Sequence, residues 1–250
     1  MPNFCANLTW LFTELPFLER FAAAKEAGFD AVEVLSPYDV NAQDIVSELA
    51  KNDLKMVLIN CPPPNYTGGD QGFAAIPGLE DRFRNDFHRA LRYARTLGAT
   101  HLHLMSGAAQ GDAAKATFID NLRWAAAEAP NQSLTIEPIN NDTLPGYFLN
   151  SFDLGHAVVK AVDAPNLRLQ FDTYHAAKIT GDVLGTWEAM RKITVHVQVA
   201  QMPDRTEPDR GEIDYPAFFA TLDAAGYDGW VAGEYKPRTQ TETGLGWISA

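Results

Sequence analysis

The chain is short of cysteine, of positive charge and of long apolar runs, and each shortage removes a class of protein. Its two cysteines, Cys5 and Cys61, stand far apart in no paired spacing. That excludes a disulfide framework or a zinc knuckle and suits a reducing compartment. Lys and Arg number 20 against 32 Asp and Glu, a formal net charge of −12, which argues against a general nucleic-acid or anionic-membrane surface. A small anionic substrate is not excluded, because a few local cations suffice to bind one. No apolar run approaches membrane-spanning length. The opening MPNFCANLTWLFTELPF carries neither a basic leader nor a cleavage site, so a cytoplasmic protein is expected. Neither GxGxxG nor GxxxxGK[ST] occurs, so no nucleotide cofactor is expected. Linkers and low-complexity tracts are also missing.

What is present is alternation. Eight strand candidates run from Asn3 to Asn7, Ala31 to Leu35, Lys55 to Asn60, His101 to Ser106, Ser133 to Glu137, Arg168 to Asp172, Ile193 to Gln198 and Trp230 to Glu234. Helical stretches separate them. Thr13 is expected to cap the first, Asn41 and Asp112 to open the second and fourth, and Pro77-Gly78 to precede the third. Ser151, Gly181 and Asp214 are read as starts of the last three. Strand–helix alternation implies a parallel sheet, and eight units imply that it closes. The expected fold is α/β, a (β/α)8 TIM barrel forming one domain over residues 1–250. Two long irregular stretches, CPPPNYTGGDQGFAAIPG and QMPDRTEPDRGEIDYP, follow the third and seventh strands and so lie on the face that carries barrel active sites. Tyr66 and Phe73 in the first suit a lid, although a solvated excursion accounts for its Gly-Gly-Asp segment equally well.

Four strands of the second half end on an oxygen-bearing side chain: Glu137, Asp172, Gln198 and Glu234. A charge closing a β-branched run is costly to bury unless something pairs with it. The ordinary partner would be Lys or Arg, but few lie near these residues in sequence. Their convergence on one mouth describes a hard oxygen cage for Mg²⁺ or Mn²⁺, with the amide of Gln198 a neutral ligand better suited to those ions than to zinc. His175, three residues beyond Asp172, is placed to fold over the metal, where a lone histidine would otherwise be a cap or a surface group. His101 and His103 point inward from the fourth strand as packed or supporting residues, and His196 lies one layer below Gln198. Glu33 points inward from the second strand, where a buried acid needs a partner, most simply a histidine. Arg205 and Lys236 are the cations best placed to meet an anionic substrate; the alternative for both is solvated surface charge.

These residues lie in longer phrases that resemble the hydroxypyruvate isomerase family, a branch of the xylose isomerase-like TIM barrels. FCANLTWLFTELPFLERFAAAKEAGFDAVEVL, IDNLRWAA, LQFDTYHAAK, VHVQVAQMPDRTEPDRGEIDYP and GWVAGEYKPR carry the resemblance essentially end to end. It implies a catalytic pair, Glu137 and Glu234, a metal held at Glu137, Asp172, Gln198 and Glu234, and substrate contacts from His175 and Arg205. Many members of the wider superfamily have histidine where this chain has Gln198.

The implied chemistry moves a carbonyl between adjacent carbons, as between hydroxypyruvate and tartronate semialdehyde. One carboxylate removes a proton alpha to the carbonyl, and a proton returns to the neighbouring carbon of an enediolate that a metal would stabilise. Which glutamate is base and which acid is left open. A four-carbon oxo-acid of the 2-oxo-tetronate type or a ketose for 3-epimerisation is the nearest alternative. A metal-dependent endonuclease and a non-catalytic sugar-acid binding protein stand further off. The expected partner is a small hydroxy-oxo-acid, with neither nucleic acid nor membrane, and homo-oligomerisation is left open.

Overall fold

Parallel strands and the helices between them wind into a barrel in the computed structural model, which describes residues 2–63 and 71–249. The strands are β1 (Asn3–Asn7), β2 (Ala31–Glu33), β3 (Lys55–Met56), β4 (Leu58–Cys61), β5 (His101–Leu104), β6 (Ser133–Ile136), β7 (Leu167–Asp172), β8 (Thr194–Val199) and β9 (Trp230–Gly233). They follow one another in the order β3-β2-β1-β9-β8-β7-β6-β5-β4. All eight expected strands are present, the third divided at Val57. The Val57 N–H donates to the Val32 carbonyl at 2.8 Å, and its own carbonyl accepts from the His101 N–H at 2.8 Å. The third stave therefore joins β2 on one side and β5 on the other, and the ring closes.

Among the described residues eight α-helices cover the outside: α1 (Glu19–Glu26), α2 (Ala42–Lys51), α3 (Glu80–Leu97), α4 (Gly111–Glu128), α5 (Phe152–Val162), α6 (Thr173–Thr180), α7 (Val183–Met190) and α8 (Tyr215–Ala224). A 3-10 segment, Thr241–Ser249, follows β9. Asn41, Ser151 and Asp214 cap their helices as expected, accepting from the N–H groups of Gln43, Leu154 and Ala217. The inward stripe of α3, Phe83, Phe87, Ala90, Leu91 and Ala94, is buried. No helix among the described residues is long and apolar enough to cross a membrane.

Three helix starts differ from expectation. Asp112 does not open α4 but lies in its first turn, behind Gly111 and the N-cap Gln110, which makes no side-chain cap bond. Thr13 caps nothing: α1 begins at Glu19 behind Leu18, which makes no side-chain cap bond. The segment before it is held from the other end of the chain instead. Thr241 offers its N–H and hydroxyl to Glu14 at 2.9 and 3.2 Å, and the Phe12 N–H reaches the Thr241 hydroxyl at 2.7 Å. Gly181 ends a helix where it was expected to start one. It closes α6 with φ +73°, and Asp182 caps α7 through the Gly185 N–H. The helix so ended, α6, is itself an addition, and its cap is Asp172.

Between β7 and β8 the register slips. Leu169 lies opposite Thr194, but Gln170 lies opposite His196 and Asp172 opposite Gln198. Side chains alternate along a strand, so without this bulge His196 and Gln198 would face the helices while Gln170 and Asp172 faced the interior. The extra residue brings all four inside.

Of the expected lid, Tyr66 and the Gly-Gly-Asp segment lie outside the described residues. Phe73 is no lid. It is buried, with the Arg82 guanidinium 4.5 Å above its ring. Next to it Gly72 lies so close to the β5 end that a Cβ there would come within 2.5 Å of the Met105 carbonyl oxygen.

Candidate active site

Glu137 and Glu234 each follow a strand end by one residue, Asp172 is the last residue of β7 and Gln198 the last but one of β8. All four side chains are buried at one end of the barrel. Two residues tie them together. One Nη of Arg205 donates to Asp172 Oδ2 at 3.1 Å and to Glu234 Oε1 at 2.6 Å. The Nε2 of Gln170 donates to Glu137 Oε2 at 3.1 Å and also to Gln198 Oε1. His175 completes the ring, with its Nε2 3.8 Å from Glu137 Oε1 and 3.7 Å from Asp172 Oδ2.

Asp172 divides its work between its two oxygens. Oδ1 accepts from the N–H groups of Tyr174 and His175 at 2.7 and 3.4 Å and so starts α6, while Oδ2 faces Arg205. Because α6 begins there, His175 sits in its first turn directly above the carboxylate. That is why a DxxH spacing brings the two groups together.

The cation that pairs with these acids comes from a loop and not from a neighbouring strand. Arg205 lies between the rings of Trp10, 4.9 Å from its guanidinium carbon, and Tyr174, at 5.2 Å. Its backbone takes the left-handed conformation, φ +56°. The Lys236 N–H donates to the Arg205 carbonyl at 2.8 Å, and the Lys236 side chain is exposed. Of the two cations expected at the substrate, then, Arg205 reaches the mouth and Lys236 contributes its backbone. Arg205 is engaged by the carboxylates themselves, the ion pairing that its distance in sequence concealed.

Beneath the mouth lies a second polar layer. Glu33 is fully buried and accepts from Asn7 Nδ2 at 2.7 Å and Gln198 Nε2 at 2.7 Å. Its other oxygen meets His196 Nε2 at 2.6 Å. The histidine partner expected for Glu33 is thus His196, reached across the barrel. His101 pairs through Nδ1 with the Ser133 hydroxyl at 2.8 Å, and its ring lies 5.6 Å from that of His196. His103 pairs through Nδ1 with Asn60 Oδ1 at 3.1 Å and places Nε2 3.8 Å from Glu137 Oε2.

Burial governs the charges of all these groups. It pushes Glu234 up to about 8, against the opposing pull of Arg205. Glu137 is held well above the usual carboxylate range by burial and then by the charges of Glu234 and Asp172. Burial likewise lifts Glu33 to about 8. Desolvation drives His101, His103 and His196 down to about 3 and His175 to about 4, so neutral imidazoles face these acids.

Such a set fits a divalent cation. Glu137, Asp172 and His175 each offer an atom within 4.8 Å of the others. The nearby donors are chiefly hard oxygens, and three buried carboxyls crowded together gain from a cation among them. The Gln198 carbonyl has two lone pairs and uses one on Gln170. Arg205 offsets the single negative charge that three carboxylates and a divalent ion would leave.

Sequence reading passed over Gln170, Trp10, Tyr174 and Asn140. Gln170 shares its strand face with Asp172, and that was the available signal. Trp10, far away in the chain, gave none. Gly233 admits the Trp247 ring close to its backbone, where a Cβ would meet it at 2.9 Å. A groove of about 800 Å³ beside α8, lined by Phe4, Ile213, Tyr215, Phe219 and Trp247, stands apart from the four strand-end side chains.

With this geometry in hand, the likenesses to other proteins agree. The sequence profile described as Xylose isomerase-like TIM barrel matches residues 21–250. A 2-oxo-tetronate isomerase of Cupriavidus necator is 44% identical over 99% of this chain and 98% of its own length. A hydroxypyruvate isomerase of Escherichia coli is 37% identical over 99% and 98%. A Brucella melitensis crystal structure named as an AP endonuclease of family 2 superposes with a TM-score of 0.96 at 46% identity, covering 100% of this chain and 98% of that one. The chain belongs to the xylose isomerase-like TIM barrel family, on its hydroxypyruvate isomerase branch, and is an isomerase.

Proposed function

We propose that the protein moves a carbonyl between adjacent carbons of a small hydroxy-oxo-acid through an enediolate, with Glu137 and Glu234 as the proton-transferring pair. The observation that carries this reading is the pair itself: two buried carboxyls at one barrel mouth, both raised toward neutrality, on strand ends separated by β7 and β8. A carboxyl with a raised pKa is a competent base when ionised and a competent acid when protonated near pH 7. One glutamate takes the proton from the hydroxyl-bearing carbon beside the carbonyl, and a proton is delivered to the former carbonyl carbon. The hydroxyl proton passes between the two oxygens. Arg205 holds Asp172 and Glu234 in place and offers its remaining N–H groups to the substrate carboxylate. His175 supplies a neutral ring beside the reacting oxygens.

Glu137, Asp172, Gln198 and Glu234 would hold Mg²⁺ or Mn²⁺. Such an ion supplies Lewis-acid stabilisation of the enediolate.

The sequence resemblance put hydroxypyruvate first. The 44% identity to a protein named 2-oxo-tetronate isomerase, against 37% to one named hydroxypyruvate isomerase, favours the four-carbon acid, on which the same residues do the same chemistry. A nucleic-acid substrate, suggested by the name of the Brucella structure, sits poorly with the −12 charge.

Both acids are to be assayed by NMR in D₂O, with and without Mn²⁺ after chelation. Turnover with deuterium entering the product carbon is expected, faster on 2-oxo-tetronate. Complete retention of the substrate hydrogen would replace the enediolate by a hydride shift. Turnover of neutral ketoses alone would replace the substrate class.

A further inference from the structure

His175 stands among the carboxylates with a nitrogen at ligand distance, and the protein has already decided which of its nitrogens carries the proton. The Nδ1 atom receives two donors, both from Asn140: the side-chain Nδ2 at 2.6 Å and the backbone N–H at 3.4 Å. The amide cannot be turned round without cost, because Asn140 Oδ1 accepts from the Thr143 N–H at 2.9 Å. A flip would set Nδ2 against that N–H. The backbone N–H is a donor in either orientation. Nδ1 must therefore present a lone pair, and the neutral ring carries its hydrogen on Nε2.

Nε2 is the atom that faces Glu137 and Asp172. A nitrogen bearing hydrogen has no in-plane lone pair for an ion. Both residues are buried, Asn140 5% and His175 2% exposed, so water does not compete for these bonds. Asn140 is itself anchored by a turn, its carbonyl accepting from Thr143 and Leu144 at 3.2 and 3.1 Å.

We propose that Asn140 is a positioning residue that locks His175 as the Nε2–H tautomer, so that the imidazole serves as a hydrogen-bond donor at the mouth and stays out of the metal's ligand shell. The metal then sees an all-oxygen set, and the ring is left to hold a substrate oxygen. The proposal rests on the isomerase reading for the use of the donor, but the tautomer is a property of the protein alone.

The test uses full-length protein labelled with ¹⁵N-histidine, its ring signals assigned by comparison with His175→Asn. Long-range ¹⁵N–¹H correlation is expected to show His175 with hydrogen on Nε2 and none on Nδ1. Asn140→Asp, which offers an acceptor in place of the side-chain donor, is expected to move the hydrogen toward Nδ1. In that variant kcat on the best oxo-acid is expected to fall by about 10–100-fold, the usual effect of losing a group that orients a reacting side chain. Mn²⁺ affinity, read by electron paramagnetic resonance, is expected to stay within a factor of about 3 in both variants. A wild-type ring with hydrogen on Nδ1 overturns the proposal, with or without soluble variants. So does loss of Mn²⁺ affinity by about tenfold or more in His175→Asn, since that would make the ring a ligand. If no oxo-acid is turned over but the tautomer and Mn²⁺ results are as expected, the substrate reading fails and the lock stands.

Discussion

Glu33 and Glu234 are two carboxyls of one barrel, each buried and each pushed up to about 8, yet their surroundings differ in kind. Glu33, in the lower layer, is met by two amides and a neutral imidazole. Glu234, at the mouth, is met by a guanidinium and the Gln198 amide and feels the charges of Glu137 and Asp172. In the lower layer every Glu33 oxygen has a neutral partner. The mouth is balanced only in part, with three carboxyls sharing one cation. The first arrangement supports a site, and the second is built to exchange charge with something that enters it.

Disabling the mouth is expected to have the largest effect. Glu137→Gln and Glu234→Gln should each lower kcat by on the order of 10²–10⁴-fold on the better oxo-acid while leaving the urea midpoint unchanged or higher. Near-normal turnover in either would remove that residue from the mechanism. Arg205→Ala comes next, costing about 2–4 kcal/mol in kcat/KM for a carboxylated substrate, with only partial recovery in Arg205→Lys. An equal loss on a neutral ketose would mean that Arg205 serves the carboxylates Asp172 and Glu234 and reads no substrate charge.

Glu33 probes the lower layer. Glu33→Ala strands the donors of Asn7 and Gln198 and is expected to cost about 3 kcal/mol in urea unfolding. Glu33→Gln imitates the protonated acid and should be nearly neutral at pH 5. The sign follows from linkage. A carboxyl raised from 4.5 to about 8 binds its proton more tightly when folded. Its stabilising contribution is complete below about pH 4.5 and is lost as pH rises toward 8. Glu33→Gln should therefore gain on the native protein as pH rises from 5 to 8, by up to about 1.4 kcal/mol per pH unit. The histidines held near 3 act in the opposite sense, stabilising above their unfolded value of 6.5 and less as pH falls below it.

A saturating divalent ion should restore balance at the mouth without touching Glu33. Mn²⁺ at about 100 times its Kd would add about 2.7 kcal/mol to unfolding stability, and the gain should vanish in Asp172→Asn. The Gln198→His variant is expected to prefer Zn²⁺ or Co²⁺ over Mg²⁺. Lys236→Ala is the smallest change. With its side chain in solvent it is expected to alter kcat/KM by no more than about threefold.

Much of this was legible beforehand because strand periodicity is local. An inward-facing Glu33, Asp172 or Gln198 follows from the alternation of its own strand, and helix caps at Asn41, Ser151 and Asp214 follow from residue type. Where a residue has two uses, its type shows only one. Asp172 has the type and place of a ligand and is also the cap that creates α6, a helix whose body and end are spelled by Ala176, Ala177 and Gly181. At Thr13 a capping residue type misled, because the chain there answers to Thr241, more than two hundred residues away.

The sequence by itself determined the alternation of strands and helices, the closure that eight such units imply and the oxygen-bearing side chains at the strand ends, since each depends on periods of a few residues. Only the tertiary structure decided that Arg205 spans Asp172 and Glu234, that Glu33 meets His196 across the barrel and that Asn140 holds His175. Those pairings depend on the paths of long loops and on the one-residue slip between β7 and β8, which are settled when distant buried polar groups find the partners that burial obliges them to have.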